Sequence, residues 1–582
     1  MSSSASATST STSTSLATAS TSPSTRTVTS DPRNVTMETY WREVQSIKEE
    51  KEGQEEEEEE EERKKVELEE AWLMEAGLSS LLMCSVESEE APPPAEALLS
   101  TLTRQQAATV RKRLDNYNET LKKRNRQPVR DVRDVFAKVG RNNKEDMYKQ
   151  SVCSMFVSKD SLCYLQLQQA DWLLRDSPYS EGVAGHKKDG TCWDCICFHG
   201  DDNSEVQVLS PCQGLTCVDD LSSCDLTRLG FIAHIELSTF LLALGVQTKR
   251  TRPPRYKNSG VFGVPLNSLL ENDRKKFPGI KVPVVFQKLL CVLEETGLQT
   301  EGILRVPGSA ARLKCMRQQL DRCYGSFDWS AVREVDAAGL LKLFIRELPT
   351  SLLTHTHLST YRLSSEVHQV QALQLMTLLL PEANRDTLKA LLAFLRNVIS
   401  HQDQNRMSLW NVAMVMAPNL FACHQHGKKR SIVKQREEME EALGGAHLIR
   451  LMITHQDLLW TVPNFLLSQV RQMNQTSNQK ELGLSRTKRW LLWKRNDKND
   501  RNQLCEGVIR VHAPLHTKVS MAIQLNKQTT AKDVTSRFEC KDSPLQHLYE
   551  IGGNICERRL HPDCILLDIY RVNPHCDWLI KP

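Results

Sequence analysis

The chain has 582 residues, 25% charged and 40% hydrophobic, with a net charge of +3. That length allows roughly three to five domains, and a charge this close to balance gives no electrostatic ground for nucleic acid as a partner. The N-terminus lacks the basic start and apolar core of a secretory signal, and no apolar run approaches the ~20 residues of a transmembrane segment. The 18 cysteines are scattered in the manner of reduced thiols, not a disulfide framework. The expected setting is cytoplasmic, with recruitment to the cell cortex or a membrane left open.

Residues 1–36 are Ser/Thr/Ala-rich with almost no large apolar side chains, so they cannot offset the entropy of ordering and a disordered tail is expected. Residues 37–90 hold the acidic run Glu55 to Glu62, then Arg63, Lys64 and Lys65, then an apolar cluster of Val66, Leu68, Ala71, Trp72 and Leu73. This acidic helical segment reads either as a helix that docks on a partner or as a solvated spacer. Pro92, Pro93 and Pro94 break the chain. Residues 91–250 form a mixed region of unknown function. There, residues 98–125 look helical, Val206 to Leu209 resemble a strand, and Ile232 to Leu244 is apolar. Cys192, Cys195 and Cys197 lie near His186 and His199, with Cys212, Cys217 and Cys224 further on. Only Cys192 and Cys195 have zinc-ligand spacing, and no second CxxC or HxxxH follows, so buried or free thiols are the plainer reading.

A basic, proline-containing stretch from Thr248 to Lys257 leads into residues 262–465, where helical periodicity dominates and strand signals are nearly absent. Val284, Val285, Leu289, Leu290, Val292 and Leu293 mark one helix, stopped at Gly297. Ser309 is placed to cap a second and Asp336 a third. Further helices are expected over 366–379, 385–400, 407–417 and 437–459. Between the first two lies Thr300-Glu-Gly-Ile-Leu-Arg-Val-Pro-Gly308, a loop shaped by two glycines and a proline. Arg305 is placed to project from it, the alternative being a pair with Glu301. Lys342 and Arg346, four residues apart, share one face of the third helix, while Leu341 and Phe344 lie on another. Pro418-Asn419 is expected to close the 407–417 helix and leave a side-chain amide at its end.

Residues 466–503 read as a basic linker carrying Trp490 and Trp493. In 504–582, Val519, Met521, Ile523 and Leu525 alternate as a half-buried strand does. Gly507 to Ala513 is a plausible partner strand, and Thr530 is placed to cap a short helix with Val534 and Phe538. Leu548 to Ile551, the Gly552-Gly553 turn and Ile565 to Val572 supply further strands, an order that resembles a ubiquitin-like β-grasp.

Three segments of the central region resemble the signature blocks of the RhoGAP family: Glu301-Gly-Ile-Leu-Arg-Val-Pro-Gly308, Leu341-Lys-Leu-Phe-Ile-Arg-Glu-Leu-Pro349 and Asn411-Val-Ala-Met-Val-Met-Ala-Pro-Asn419. They stand in the family's order, and each alone would be a weak signal. The flanking sequence resembles the subgroup of Rho GTPase-activating proteins numbered 18, 28 and 40. Leu548-Tyr-Glu-Ile-Gly-Gly553 and Glu557-Arg-Arg-Leu560 resemble parts of a Ras-associating domain, with Arg510 and Lys518 the obvious basic residues and an intramolecular role equally open. The fold class implied is multidomain: a disordered tail, an all-α RhoGAP helical domain over 262–465, and a small α+β ubiquitin-like module.

The resemblance implies a GTPase activator with no turnover site of its own. Its partner would be a Rho-family small GTPase in the GTP-bound form, with Rho favoured by subgroup analogy and Rac or Cdc42 open. No cofactor is implied, because GTP and Mg2+ belong to the partner. Arg305 matches the family's arginine finger, Lys342 and Arg346 the basic residues that support the finger loop and the interface, and Asn419 the amide near the partner's nucleotide. Pro307 replaces a common Ser and Ile345 a usual Leu, and neither change removes a functional group. The chemistry favours arginine because charge spreads over the transferring phosphoryl oxygens, and a guanidinium offers fixed charge with planar donors. The alternative is a catalytically weak adaptor that binds GTP-loaded Rho proteins or the actin cytoskeleton, against which the presence of Arg305 weighs.

Overall fold

The computed structural model describes residues 66–82, 94–123, 177–186, 215–246, 260–354, 360, 362–363, 365–421, 432–483, 507–514, 519–538 and 546–582. The Ser/Thr-rich tail, the acidic run, Val206 to Leu209, Trp490, Trp493, Lys518 and the cysteines at 192, 195, 197 and 212 lie outside them. Among the described residues no His, Cys, Asp and Glu cluster has the makings of a metal site; Cys217 is half-buried and Cys224 exposed, both as free thiols.

The principal elements of the central region, among the described residues, are helices. The principal helices are Leu266–Arg274, Val284–Thr296, Ala310–Cys323, Glu334–Glu347, Glu366–Leu378, Glu382–Ser400, Leu409–Leu420 and Ile432–Thr454. In Glu382–Ser400, Leu388, Leu391, Leu392, Leu395 and Val398 recur at helical spacing and all are buried. Glu366–Leu378 is buried almost all round, so its polar side chains must find partners inside. Gln374 does so by donating to the carbonyls of Leu458 and Thr461 and accepting from Tyr179 Oη. Two expected caps differ: Ser309 makes no side-chain capping bond, and Arg333, not Asp336, precedes the Glu334–Glu347 helix.

The N-terminal helices share this core. In the helix over residues 66–75, Trp72 and Leu73 are buried, and Trp72 Nε1 donates to Ser238 Oγ at 2.9 Å. Its apolar face therefore docks within the chain. The stretch read as one helix over 98–125 is two, Pro94–Thr101 and Arg104–Lys123. Thr103 and Gln106 cap the second reciprocally, at 3.0 and 3.4 Å. Ser223–Ala243, capped by Ser222, is long and apolar enough to cross a bilayer by length and composition, which the sequence reading did not anticipate. Half of that window is buried, however, and Phe240 lies 5.6 Å from the ring of His368, so its apolarity serves a core.

Residues 464–483 also differ from expectation. They form a helix, Asn464–Gly483, with Phe465, Leu466, Val470 and Met473 buried, where a linker was expected from 466. The interspersed amides hide this apolar stripe in the sequence. Gln469 and Asn474 are themselves buried and bonded to Gln106 and Asp225.

The C-terminal module has its own core and a five-stranded sheet: β1 Val508–His512, β2 Ser520–Gln524, β3 His547–Gly552, β4 Ile555–Arg559 and β5 Asp577–Lys581. The order is β2-β1-β5-β3-β4, with β1 and β5 parallel and the other pairs antiparallel. This is the expected ubiquitin-like topology, with two changes. Ile565 to Val572 is mostly helix, Leu566–Val572, burying Leu566 and Ile569 at i, i+3, and Val519 is exposed. The edge at β4 is covered by the chain itself: Ser222 N donates to Glu557 O at 3.0 Å, and Asp225 accepts from the N–H groups of Cys556 and Glu557. Arg559 pairs with Asp220 at 2.8 Å.

Candidate functional site

The loop that carries Arg305 is built from its buried residues outward. Val284–Thr296 packs Val285, Phe286, Leu289 and Leu293 inward and ends at Gly297, whose φ of −104° is not the left-handed cap that the sequence favours. The chain then turns through two left-handed positions, Gly302 at φ +69° and Leu304 at φ +68°. The second is unusual for a branched side chain, and burial of Ile303 and Leu304 holds it there. With these two side chains inside, Arg305, Val306 and Pro307 are exposed. The N–H groups of Arg305 and Val306 both donate to Gly302 O, at 2.9 and 2.8 Å. Gly308 closes the loop against Asp336: a Cβ there would lie 2.7 Å from Asp336 Oδ1. The Asp336 carboxylate is fully buried and accepts from Arg312 at 2.9 Å and Arg333 at 3.2 Å, which ties the loop exit to the next two helices.

Among the described residues no carboxylate pairs with Arg305, so the expected alternative, a bond to Glu301, is not formed. Lys342 is half-buried and its Nζ donates to Leu304 O at 2.5 Å. Burial, reinforced by the charge of Arg346, holds its ammonium below the ordinary lysine range. Arg346 is exposed one turn further on; its neighbour Glu347 is engaged by Arg317 at 2.7 Å, which leaves Arg346 to solvent.

Asn419 is buried, and its Nδ2 donates to Val415 O at 2.8 Å. It does not stand at a proline-stopped end: the helix runs to Leu420 with Pro418 inside its last turn. Proline there forfeits one bond, to Met414 O, on a side where Trp410, Met414 and Pro418 are exposed at i, i+4 and i+8. Leu409–Leu420 packs on Glu334–Glu347, so Asn419, Lys342 and Arg346 occupy neighbouring helices. A hydrogen bond from Lys342 to the residue before Arg305 ties the third helix to the finger loop. The sequence reading missed Asn405, whose carbonyl accepts the Gly302 N–H at 2.8 Å, and the apolar stripe begun by Trp410.

Residues 283–425 match the RhoGAP domain, residues 508–547 and 541–582 the RHG40-like, C-terminal ubiquitin-like domain, and residues 48–125 the Rho GTPase-activating protein 18-like, N-terminal SAM domain. Rho GTPase-activating protein 18 of Homo sapiens is 38% identical, over 96% of this chain and 90% of its own. Rho GTPase-activating proteins 28 and 40 of Homo sapiens are each 36% identical over 94% of this chain, and over 89% and 88% of their own. These identities do not separate the three. With such coverage of both partners in each alignment, this chain belongs to the Rho GTPase-activating protein family.

Proposed function

We propose that the chain accelerates GTP hydrolysis by a Rho-type GTPase through insertion of Arg305 into the partner's nucleotide site. The observation that carries this reading is an exposed guanidinium, unpaired among the described residues, on a loop whose neighbouring backbone is tied down. Arg305 supplies positive charge and planar donors to the transferring phosphoryl group, while the partner brings GTP, Mg2+ and the attacking water. A finger in trans contributes roughly 10³ to 10⁵ in rate, or about 4 to 7 kcal/mol of barrier. Lys342 supports the finger loop, Arg346 offers an exposed cation to the partner, and Asn419 lies at the rim of the contact. The exposed Val306, Trp410 and Met414 supply its apolar part. The chain has no turnover site of its own in this scheme, and Rho is the preferred partner.

Single-turnover GTP hydrolysis by Rho, Rac and Cdc42 tests it, using the full chain as wild type, Arg305→Ala and Arg305→Lys. Both variants should lose most of the acceleration, the lysine because it keeps the charge without the fork. If Arg305→Ala retains full acceleration, the finger assignment is wrong. Rac or Cdc42 turning over faster than Rho would overturn the preference alone.

A further inference from the structure

The loop that presents Arg305 is held from beneath by one side chain at the end of a single-turn helix. Asn405 ends the short Gln402–Asn405 helix and is fully buried. Its Nδ2 donates to Leu298 O at 2.7 Å and to Val398 O at 2.8 Å, and its Oδ1 accepts the Met407 N–H at 2.8 Å. Two carbonyls at one end of the amide and an N–H at the other fix its orientation. Its main-chain carbonyl meanwhile accepts the Gly302 N–H at 2.8 Å. Arg406, the next residue, is left-handed at φ +59°, which turns the chain so that Met407 can reach back.

One residue thus joins four places: the loop entrance at Leu298, the left-handed turn at Gly302, the end of Glu382–Ser400 at Val398, and the approach to Leu409–Leu420 at Met407. We propose that Asn405 is the positioning residue of the Arg305 loop, acting through Gly302 and Leu298 and never touching the partner GTPase. This rests on the finger reading of Arg305. Three of the four hydrogen-bonding places on its amide are filled. No other side chain of similar size offers two donors and an acceptor in that arrangement, so substitution frees the loop entrance, takes the amide donor from the Leu298 carbonyl and leaves Val398 O with the His401 N–H alone. Val306 and Arg305 both hang from Gly302 O, so movement of Gly302 is passed directly to Arg305. A misplacement of about 1 Å at a reacting group costs about a hundred-fold in rate.

The test compares the full chain as wild type, Asn405→Ala and Arg305→Ala, in single-turnover hydrolysis by GTP-loaded Rho over a range of activator concentrations. Asn405→Ala should lower the limiting rate about a hundred-fold while the half-saturating concentration stays near wild type. Hydrogen exchange should quicken in peptides covering 298–308, with protection of Val284–Thr296 retained. A variant that keeps the limiting rate, or loses only affinity, overturns the proposal if Arg305→Ala still collapses the rate. Should Arg305→Ala itself retain acceleration, the finger reading falls and this inference with it. Wild-type exchange decides the matter if Asn405→Ala does not fold. The Gly302 amide must then be protected well beyond that of exposed Glu301, and equal exchange at the two overturns the anchor.

Discussion

Lys342 Nζ donates to the carbonyl of Leu304, and the N–H at the other end of the same peptide unit, that of Arg305, donates to Gly302 O. Both polar ends of the peptide that leads into Arg305 are therefore occupied. The plane of that peptide sets the direction in which the Arg305 side chain leaves the backbone. Leu304 meanwhile keeps a left-handed conformation because its buried side chain outweighs the local strain: that conformation costs about 1–2 kcal/mol, whereas exposing a leucine costs about 1.5–3 kcal/mol. The cation on Glu334–Glu347 and the apolar interior thus act on one residue from two sides.

Lys342→Met should show how much of this reaches the chemistry. Methionine keeps the apolar stem and removes the donor. Losing a bond from a charged donor costs about 1.5–3 kcal/mol. Burial and Arg346 already disfavour the ammonium, however, and its removal offsets part of that cost. The expected outcome is a small shift in thermal midpoint with a fall of about ten- to a hundred-fold in single-turnover GTPase activation. Unchanged activation would mean that the Leu304–Arg305 peptide is fixed without Lys342.

Much of this was legible because the elements concerned are local. The glycines around Arg305, and Lys342 and Arg346 four apart on a helix, are patterns within a few residues. Asn405 escaped for the opposite reason: its partners at Leu298 and Met407 lie 107 residues back and two residues on, and nothing in Gln402–Met407 marks an interior amide. The Asn464–Gly483 helix was masked by buried amides whose partners come from distant helices. Ile565 to Val572 read as strand from its branched and aromatic residues, yet the site favours the helix that buries Leu566 and Ile569 together. Pro418 misled because proline is tolerated where the bond it forfeits lies on an exposed side.

The C-terminal module hangs on a buried charge. Glu550 is fully buried between Arg471, at 2.7 Å, and Arg558, whose Nε lies 3.1 Å away but off the line of a hydrogen bond. Burial pushes its carboxyl up, but the bonds from Arg471 and the charge of Arg558 outweigh this and hold it below the ordinary glutamate range. Arg471 comes from Asn464–Gly483, so the pair fastens the sheet to the helical part of the chain. Glu550→Gln strands two buried guanidiniums, and removal of one partner of a buried pair costs about 3–5 kcal/mol. Chemical denaturation should read a loss of that size, and limited proteolysis should cut within 507–582 sooner than in wild type. Wild-type resistance in both assays would show that Arg471 and Arg558 find other partners.

Acid should weaken the fold through two histidines near the N-terminal and central helices. Burial, with Arg113 nearby, brings His234 down from 6.5 to about 4, and burial brings His455 to about 4 despite the opposing pull of Glu366. Each has a ring nitrogen buried without a partner among the described residues, Nε2 of His234 and Nδ1 of His455, which fits a neutral ring. Both folded values lie below the unfolded one, so the unfolded chain takes up protons first as pH falls below 6.5. Stability is then lost progressively down to about pH 4 and is unaffected above pH 7. Between pH 6.5 and 5 the loss is about 2 kcal/mol per histidine. His234→Phe keeps a ring against Trp72, 5.3 Å away, and removes one titrating group. Urea unfolding from pH 7 to 5 should therefore show a shallower slope in this variant than in wild type. An identical slope in both proteins would place the acid sensitivity elsewhere.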